Sequence, residues 1–282
     1  MTLARRAVVV ALAAMAWSVV PCAAQVVPAA TEPVLAPQEM EAFLLHAEIV
    51  TQRKNAPAGT TDARRVTLSD GRTTHDAQIQ DVDIFRPLFE VPAARYVEIN
   101  FRDTYRYNIA AYRLSRLLGL EEVPMSVLRI VDSKPAAVTW WIDDVAMDEG
   151  TRLRKKIVSP TPSRTASYTL ILRVFDELIQ NRDRNAGNLL WTKDWRMWMI
   201  DHTRAFRLGH NLLKPQALQR CERTLLDRMR GLTAGAVTEA MGDMLLKIEV
   251  EPLMARRDAL VKLFDDKIAQ RGEKAVLYTL SR

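Results

Sequence analysis

The feature that most constrains the fold is a change in hydrophobic period near the middle of the chain. Before Asp144, apolar residues mostly alternate with polar residues, as they do in half-buried strands. After Asp144, most apolar residues recur at the spacing of amphipathic helices. We therefore predict an α+β fold in which a strand-rich N-terminal half meets a helix-rich C-terminal half near 142–147.

The N-terminal half begins with a predicted helix and a predicted hairpin. A helix over 38–54 is indicated by the helical spacing of apolar residues such as Phe43 and Leu44. The segment that follows alternates on either side of Asp70 and Gly71, and this dipeptide suits a tight turn because glycine accepts a positive φ. We predict a β-hairpin with its turn at these two residues.

A second helix is predicted where Ile109 and Leu114 lie on one apolar stripe, and Gly119 is placed to end it. Short strands are predicted at 123–131 and 135–143. In the C-terminal half, we predict helices at 166–180, 215–229, 234–246 and 252–271, and a hairpin within 188–201.

The N-terminus has the features of a secretory signal peptide. A basic start, "MTLARR", precedes an uncharged apolar run over 7–20, and Cys22 and Ala24 are small residues placed for cleavage after Ala24. A buried helix or a membrane anchor are the alternatives, although the run is short for a hydrocarbon core of about 30 Å. We predict a signal peptide over 1–24, a Pro- and Ala-rich linker over 25–37, and an exported protein, periplasmic or secreted, without a transmembrane segment after cleavage.

Charge and cysteine content exclude some classes of function. The formal net charge is +6, but the only dense basic cluster is "RLRKK" at 152–156 and no aromatic residues interleave it. No nucleic-acid partner is expected from this pattern. Once Cys22 leaves with the signal peptide, Cys221 is the only cysteine, so no intrachain disulfide can form and we expect Cys221 to be a buried apolar group.

One polar stretch, "NRDRNAGNLLWTKDWRMWMIDHTRAF" at 181–206, combines acids, amides and a predicted hairpin. Asp183 can accept a proton from a hydroxyl nucleophile, while Asn188 and Asp201 offer hard oxygen ligands suited to Mg²⁺. An Asp base, an Asn ligand five residues later and an Asp ligand after a hairpin are the elements of phosphoryl transfer in kinases. A hydrogen-bonded loop without chemistry is the alternative, because Asp and Asn also favour turns for local reasons.

The segments "DRNAGNLL" and "MIDHTRAF" resemble the catalytic and metal-binding loops of atypical kinases related to phosphatidylinositol 3- and 4-kinases and to HipA-type kinases. Over roughly 64–282 the chain also resembles a group of exported bacterial kinase-like proteins. The resemblance implies a bilobal protein-kinase-like fold that uses ATP and Mg²⁺. It implies that Asp183 is catalytic, that Arg184 supports the loop, and that Asn188 and Asp201 hold the metal ions.

The resemblance also extends to the N-terminal half. It assigns the segment over 110–124 to the kinase regulatory helix and the next strand, and "TWWIDDVAM" at 139–147 to the strand and hinge that meet adenine. On this basis the nucleotide contacts would include Trp141, Ile142 and Val145. The lobes implied are 38–143, a small strand-rich N-lobe preceded by a helix, and 144–282, a larger helical C-lobe.

Several positions depart from the kinase pattern. No G-x-G-x-x-G loop is present, so the turn at Asp70 and Gly71 would have to cover the phosphates. Gln80 stands where the nucleotide-binding Lys is expected and Asn108 where its Glu partner is expected. An amide pair can form a hydrogen bond but carries no positive charge. The residues on the same hairpin that could replace the charge are Arg64, Arg65 and Arg72.

Three functions remain open from these residues. The first is an ATP- and Mg²⁺-dependent phosphotransferase that acts on a hydroxyl of an unknown protein or small molecule. The second is a catalytically weak or inactive pseudokinase that binds a nucleotide or a protein; transfer of a nucleotidyl group is a third. His202 is open between a loop cap and a catalytic group, and the tryptophans are open between core packing and a ligand cleft.

Overall fold

The computed structural model describes residues 35–54, 63–91 and 96–280. The predicted signal peptide and most of the predicted linker therefore lie outside the described residues. Within 35–282 the chain forms one contact unit, so the two halves of this part belong to one body. Among the described residues, no helix is both long enough and apolar enough to cross a membrane.

The elements of the N-terminal lobe are α1 (Pro37–His46), β1 (Glu48–Lys54), β2 (Arg64–Ser69), β3 (Thr74–Gln80), β4 (Asp83–Val91), β5 (Tyr96–Thr104), α2 (Arg106–Leu117), β6 (Ser126–Val131) and β7 (Lys134–Trp140). Five of these strands form one sheet in the order β1-β2-β3-β7-β6, and β4 and β5 form a separate two-stranded sheet. All neighbouring strands in the five-stranded sheet are antiparallel.

The elements of the C-terminal lobe are β8 (Val145–Asp148), α3 (Glu149–Arg154), α4 (Pro162–Leu178), β9 (Leu189–Thr192), β10 (Met197–Met199), β11 (Cys221–Glu222), α5 (Arg223–Gly231), α6 (Ala234–Met241), α7 (Lys247–Arg271), α8 (Glu273–Val276) and β12 (Leu277–Tyr278). Short 3-10 helices lie at Ala186–Asn188, Pro215–Ala217 and Gly242–Met244. The strands β10, β9 and β8 form a small sheet in that order.

Each lobe has its own hydrophobic cluster of buried side chains. One joins α1 to the five-stranded sheet, through residues such as Phe43, Leu68 and Ile79. The larger one fills the helical lobe and includes the buried face of α2, with Ile109 and Leu114 fully buried. Because α2 packs into the larger cluster while it follows β5, this helix couples the two lobes.

Glycine and turn chemistry explain the elements that were predicted well. The hairpin of β2 and β3 turns at Gly71, which has a φ of 83°, and the Asp70 carboxylate accepts the backbone N–H groups of Arg72 and Thr73 at 2.9 and 2.7 Å. Gly119, with a φ of 69°, follows α2 as expected. The left-handed region at these positions suits glycine, which has no Cβ.

Three predictions of elements were wrong in part. The helix predicted over 38–54 ends at His46, because the β-branched run after it pairs with β2 as strand β1. The helix predicted over 215–229 begins only at Arg223, where the Glu222 side chain caps it by accepting the Leu225 N–H. The helix predicted from Pro252 begins earlier, at Lys247, where Glu249 satisfies the Leu246 N–H.

The hairpin of β4 and β5 was missed entirely from the sequence. Its apolar side chains Leu88 and Ile99 lie opposite each other and are 67% and 70% exposed, so burial gives no alternating signal there. Asn100, with a φ of 55°, also interrupts the regular alternation of β5. This hairpin leads into α2 and positions the buried carboxylate of Asp103.

Candidate active site

The loop from Asn181 to Asn188 is held by its own side chains. Buried Asn181 accepts the Asp183 N–H through its Oδ1 at 3.1 Å, and Asn185 Oδ1 accepts the Gly187 N–H at 2.9 Å. The loop follows α4 and leads directly into β9. It therefore lies between two fixed elements, as the polar stretch in the sequence predicted.

Arg184 joins this loop to the segment that carries Asp201. Its guanidinium donates two hydrogen bonds of 3.0 Å to the Asp176 carboxylate and a third, of 2.7 Å, to the Ile200 carbonyl. The Ile200 N–H in turn donates to the Asn188 carbonyl at 3.0 Å. Burial raises the pKa of Asp176, and the charge of Arg184 opposes that rise. The backbones around Asn188 and Asp201 are thus tied together by one side chain.

Asp201 lies in a largely buried position immediately after this contact. Burial raises the pKa of its carboxyl group, hydrogen bonds from Thr203 oppose the rise, and the nearby carboxylates of Asp103 and Asp183 add to it. Its Oδ1 accepts the Thr203 hydroxyl at 3.1 Å. The backbone at Asp201 has a φ of 55°, in the left-handed region. A carboxylate held among other carboxylates is favoured in its ionised form by a cation.

Arg204 connects the acidic groups of both lobes. Its Nε donates to Asp103 Oδ2 at 2.7 Å, and its Nη1 donates to Asp183 Oδ2 at 3.3 Å. Asp103 is buried, whereas the Asp183 side chain is 52% exposed. Sequence reasoning missed Asp103 and Arg204, since nothing in a motif signals a pair that lies 101 residues apart.

The amide pair expected in the other half of the site is present as a contact. Asn108 Nδ2 donates to Gln80 Oε1 at 2.6 Å in a buried position, and Asn108 Oδ1 accepts the His202 N–H at 2.8 Å. The pair therefore links β3 and α2 to the segment that carries Asp201. It does so without a formal charge.

His202 is buried beneath this contact. Its Nε2 has no hydrogen-bond partner within the described residues, and its ring packs edge-on against Phe175 at 6.0 Å. Burial lowers the pKa of His202 well below its usual value. The imidazole is neutral at neutral pH and serves as part of the packing.

A small cavity lies beside Asn108 and Asp201. It is lined by residues of both lobes, namely Gln78, Asn108, Val123, Pro124, Ser126, Thr139, Ile200, Asp201 and His202. Its volume is about 10 Å³, which is room for about one water molecule. The space beside Asp201 is therefore small in this conformation.

The residues assigned to the hinge lie elsewhere. Trp141, Ile142 and Val145 do not line the small cavity. Trp141 packs under the Arg65 guanidinium at 4.2 Å, and Val145 pairs with Thr192 in the small sheet. Ile142 lines a wider pocket of about 400 Å³ whose other walls include two tryptophans. As nucleotide contacts, these three residues stay predictions.

Two of the three arginines considered as replacements for the missing Lys have other partners. Arg64 forms an ion pair with Asp132 at 2.7 Å. Arg65 Nε donates to Asp76 Oδ2 at 2.7 Å. Arg72 lies in the exposed turn after Gly71. Neither Arg64 nor Arg65 is a free charge for a phosphate group.

The donor set near Asp201 fits a hard cation bound together with a phosphate. Within the described ranges, no group of three or more His, Cys, Asp or Glu side chains is arranged to hold a metal by itself. Mg²⁺, however, is usually held by one or two protein carboxylates together with waters and substrate phosphates. Asp201 and Asn188 supply such oxygens, and the buried Asp103 Oδ1 has no hydrogen-bond partner in this part of the chain.

The remaining candidates from the sequence have structural positions. Trp191 is buried in the core of the helical lobe, and its Nε1 donates to Glu149 at 2.8 Å. Cys221 is fully buried, as predicted, and burial raises the pKa of its thiol.

No family model and no curated protein sequence matches this chain. Solved structures do share its fold. The structure of hydra Fam20 with sugar superposes with a TM-score of 0.64 at 13% identity, covering 86% of this chain and 92% of that chain. The Golgi casein kinase superposes with a TM-score of 0.59 at 13% identity, covering 84% of this chain and 77% of that chain.

These similarities define the class of fold. The chain has an atypical protein-kinase-like fold, bilobal and α+β, with a small strand-rich N-lobe and a larger helical C-lobe. The bilobal fold predicted from the sequence is confirmed. At this level of identity the likeness extends to the fold alone.

Proposed function

We propose that this protein is a kinase-like phosphotransferase that transfers a phosphoryl group from ATP to a hydroxyl group in the presence of Mg²⁺. The observation that carries the proposal is the link made by Arg184 between the loop of Asp183 and the segment of Asp201. This link holds a half-exposed carboxylate and a largely buried one in a single electrostatic cluster. Such a pair suits the separate roles of proton acceptor and cation ligand.

In the proposed reaction, Asp183 orients the acceptor hydroxyl and takes its proton. The hydroxyl oxygen forms a bond to the γ-phosphorus while the bond between that phosphorus and the ADP oxygen breaks. The 52% exposure of the Asp183 side chain leaves it open to a substrate. Arg204 competes for the same carboxylate, so the contact at 3.3 Å has to loosen when Asp183 acts as the base.

A metal ion would be held by Asp201 and Asn188. When bound, it would neutralise the phosphate charge that develops in the transition state. The repulsion that Asp201 experiences from Asp103 and Asp183 supports this assignment, because a cation would relieve it.

The finer relationship to phosphatidylinositol 3- and 4-kinases and to HipA-type kinases rests on the loop motifs in the sequence. We also infer that the protein is exported, from the signal-like segment over 1–24. Sequencing the N-terminus of the mature protein tests the export; a mature protein that begins at Met1 would contradict it.

The test of the proposed function is phosphoryl transfer by purified protein. The acceptors should include sugars and casein, since hydra Fam20 is described with sugar and the second neighbour is a casein kinase. For Asp183→Asn we expect transfer to fall about 100-fold to 10,000-fold, the usual contribution of a general base. Asp227→Asn is the matched control, because Asp227 is similarly exposed and also paired with an arginine. Equal activity of the Asp183 variant and the wild type would overturn the proposal.

A second candidate function is a pseudokinase that binds a nucleotide or a protein partner. It is favoured by the uncharged contact between Gln80 and Asn108, and by the volume of about 10 Å³ beside Asp201. Thermal unfolding with ATP and Mg²⁺ separates the two candidates when it is combined with the transfer assay, because binding to the native state raises the melting temperature. Stabilisation by ATP without transfer to any acceptor would support the pseudokinase.

A further inference from the structure

The amide pair leaves a charge deficit in the proposed site. Kinases place a Lys against the nucleotide phosphates, and here the contact between Gln80 and Asn108 is buried and neutral. Arg64 and Arg65, on the neighbouring strand, are paired with Asp132 and Asp76. Arg72, the third arginine of that hairpin, lies in its exposed turn. A cationic group that adjoins Asp201 in the chain would come from another element.

Arg204 has the geometry of such a partner. It follows Asp201 by three residues and forms its shortest ion pair, 2.7 Å, through Nε with the buried Asp103. Its other contact, Nη1 to Asp183, is longer at 3.3 Å and reaches a half-exposed carboxylate. The Arg204 side chain is itself 28% exposed. Its Nε is held by Asp103, while Nη1 lies on the side of the half-exposed Asp183.

The two contacts of Arg204 differ in strength. A short charge-assisted bond to a buried carboxylate is strong, because little water competes for either group. A contact of 3.3 Å to an exposed carboxylate contributes little. A phosphate can therefore exchange places with Asp183 at Nη1 without breaking the bond to Asp103.

Two neighbouring arginines are less suited to this role. Arg184 donates to Asp176 and to the Ile200 carbonyl, so its guanidinium is committed to joining the loops. Arg207 is buried and paired with Glu98 at 2.9 Å. Arg204 is more exposed than Arg184 and Arg207, and a buried carboxylate still holds its Nε.

We propose that Arg204 binds the phosphates of the nucleotide and supplies the positive charge that the pair of Gln80 and Asn108 lacks. Asp103 is then a positioning residue that fixes the guanidinium through Nε. Release of Nη1 from Asp183 on nucleotide binding would also free that carboxylate to accept a proton. This inference rests on the proposed function, since it deepens the same site.

The test is calorimetric binding of ATP with Mg²⁺, compared with binding of adenosine. For Arg204→Gln we expect ATP affinity to fall about 10-fold to 100-fold, as for loss of a charged hydrogen bond, while adenosine affinity stays within about twofold. Arg204→Lys should recover part of the ATP affinity, since it restores the charge without the fork geometry. Arg152→Gln is the matched control, because Arg152 is also partly buried and paired with a carboxylate, Glu149.

Removing Arg204 alone leaves buried Asp103 unpaired and could prevent folding. The double variant Asp103→Asn with Arg204→Gln keeps a neutral hydrogen-bonding pair in the same place, and it should show the same selective loss of ATP affinity. If wild type binds ATP and both variants bind it equally well, the role of Arg204 is overturned while the proposed function stands. If wild type binds no ATP, the proposed function fails first. Loss of adenosine and ATP binding together in both variants would show a structural role and overturn the inference.

Discussion

The two sides of the proposed site differ in the charge that their side chains carry. On the loop side, Asp183, Asn188 and Asp201 carry the proton-accepting and oxygen-ligand groups, and Arg184 ties their backbones together. On the strand and helix side, Gln80 and Asn108 form a neutral contact. Under the proposed function, this difference would affect phosphate binding and not proton transfer.

The largest effect is expected for Asp201→Asn, which removes a carboxylate charge from the loop side. We expect phosphoryl transfer to fall at least about 100-fold, since oxyanion-type charge stabilisation near the phosphates is lost. Burial raises the pKa of Asp201, so the ionised carboxylate destabilises the folded state at pH 7. This destabilisation disappears at lower pH, where the group is protonated. Without metal, the variant should therefore melt at a higher temperature than wild type at pH 7, and this gain should shrink as the pH falls through the raised pKa.

The melting experiment for Asp201→Asn uses differential scanning calorimetry at pH 4 to pH 7. Asp227→Asn, at an exposed position of α5, is the control and should show no such gain. A lower melting temperature for the Asp201 variant at pH 7 would contradict the assigned cause of the pKa shift.

Arg184→Met tests the connection that holds the loop side together. The variant leaves Asp176 buried without its ion-pair partner, and we expect a loss of about 3 kcal/mol in the free energy of unfolding. Arg152→Met removes a more exposed pair and should cost at most about 1 kcal/mol. Urea unfolding of both variants measures the difference. Equal losses in the free energy of unfolding would show that the contacts of Arg184 are no more important for stability than those of Arg152.

The smallest expected effect comes from restoring the missing charge pair. In the double variant Gln80→Lys with Asn108→Glu, we expect ATP affinity to rise about threefold to tenfold, because a Lys returns positive charge to the phosphates. The introduced glutamate carboxylate could still accept the His202 N–H that Asn108 accepts now. Each single variant buries an uncompensated charge and should be less stable than the double variant.

Binding calorimetry and a double-mutant cycle on stability measure this effect. An ATP affinity unchanged in the stable double variant would mean that the strand side does not face the nucleotide. It would also leave Arg204 as the better candidate for the phosphate-binding charge.

Local signals in the sequence predicted several parts of the molecule. Gly71 and Gly119 stand where the backbone needs a positive φ, so the turn of the first hairpin and the end of α2 follow from short-range sterics. The loop with Asp183 and Asn188 was also predictable, because a polar stretch between two periodic segments usually forms a surface loop. The contact of Gln80 with Asn108 followed from aligning both positions with the kinase pattern.

Other parts could not be read from periodicity. The second hairpin leaves Leu88 and Ile99 exposed, so its strands carry no buried face to signal them. Strand β1 was mistaken for the continuation of α1, because the alternation in its seven residues is weak. These residues form a strand because they pair with β2. The hinge residues Trp141, Ile142 and Val145 stay predictions as nucleotide contacts, and the structure places them away from the small cavity.

By itself, the sequence determined the α+β division, the positions of the turns and the identity of the loop that carries Asp183, because these depend on neighbours a few residues apart. Tertiary structure alone decided that Asp103 meets Arg204, 101 residues away, and that Asn108 accepts the His202 N–H. Such contacts depend on how β5, α2 and the segment after β10 pack around the larger core. Burial in that packing, and not the local sequence, sets the charge balance around Asp201.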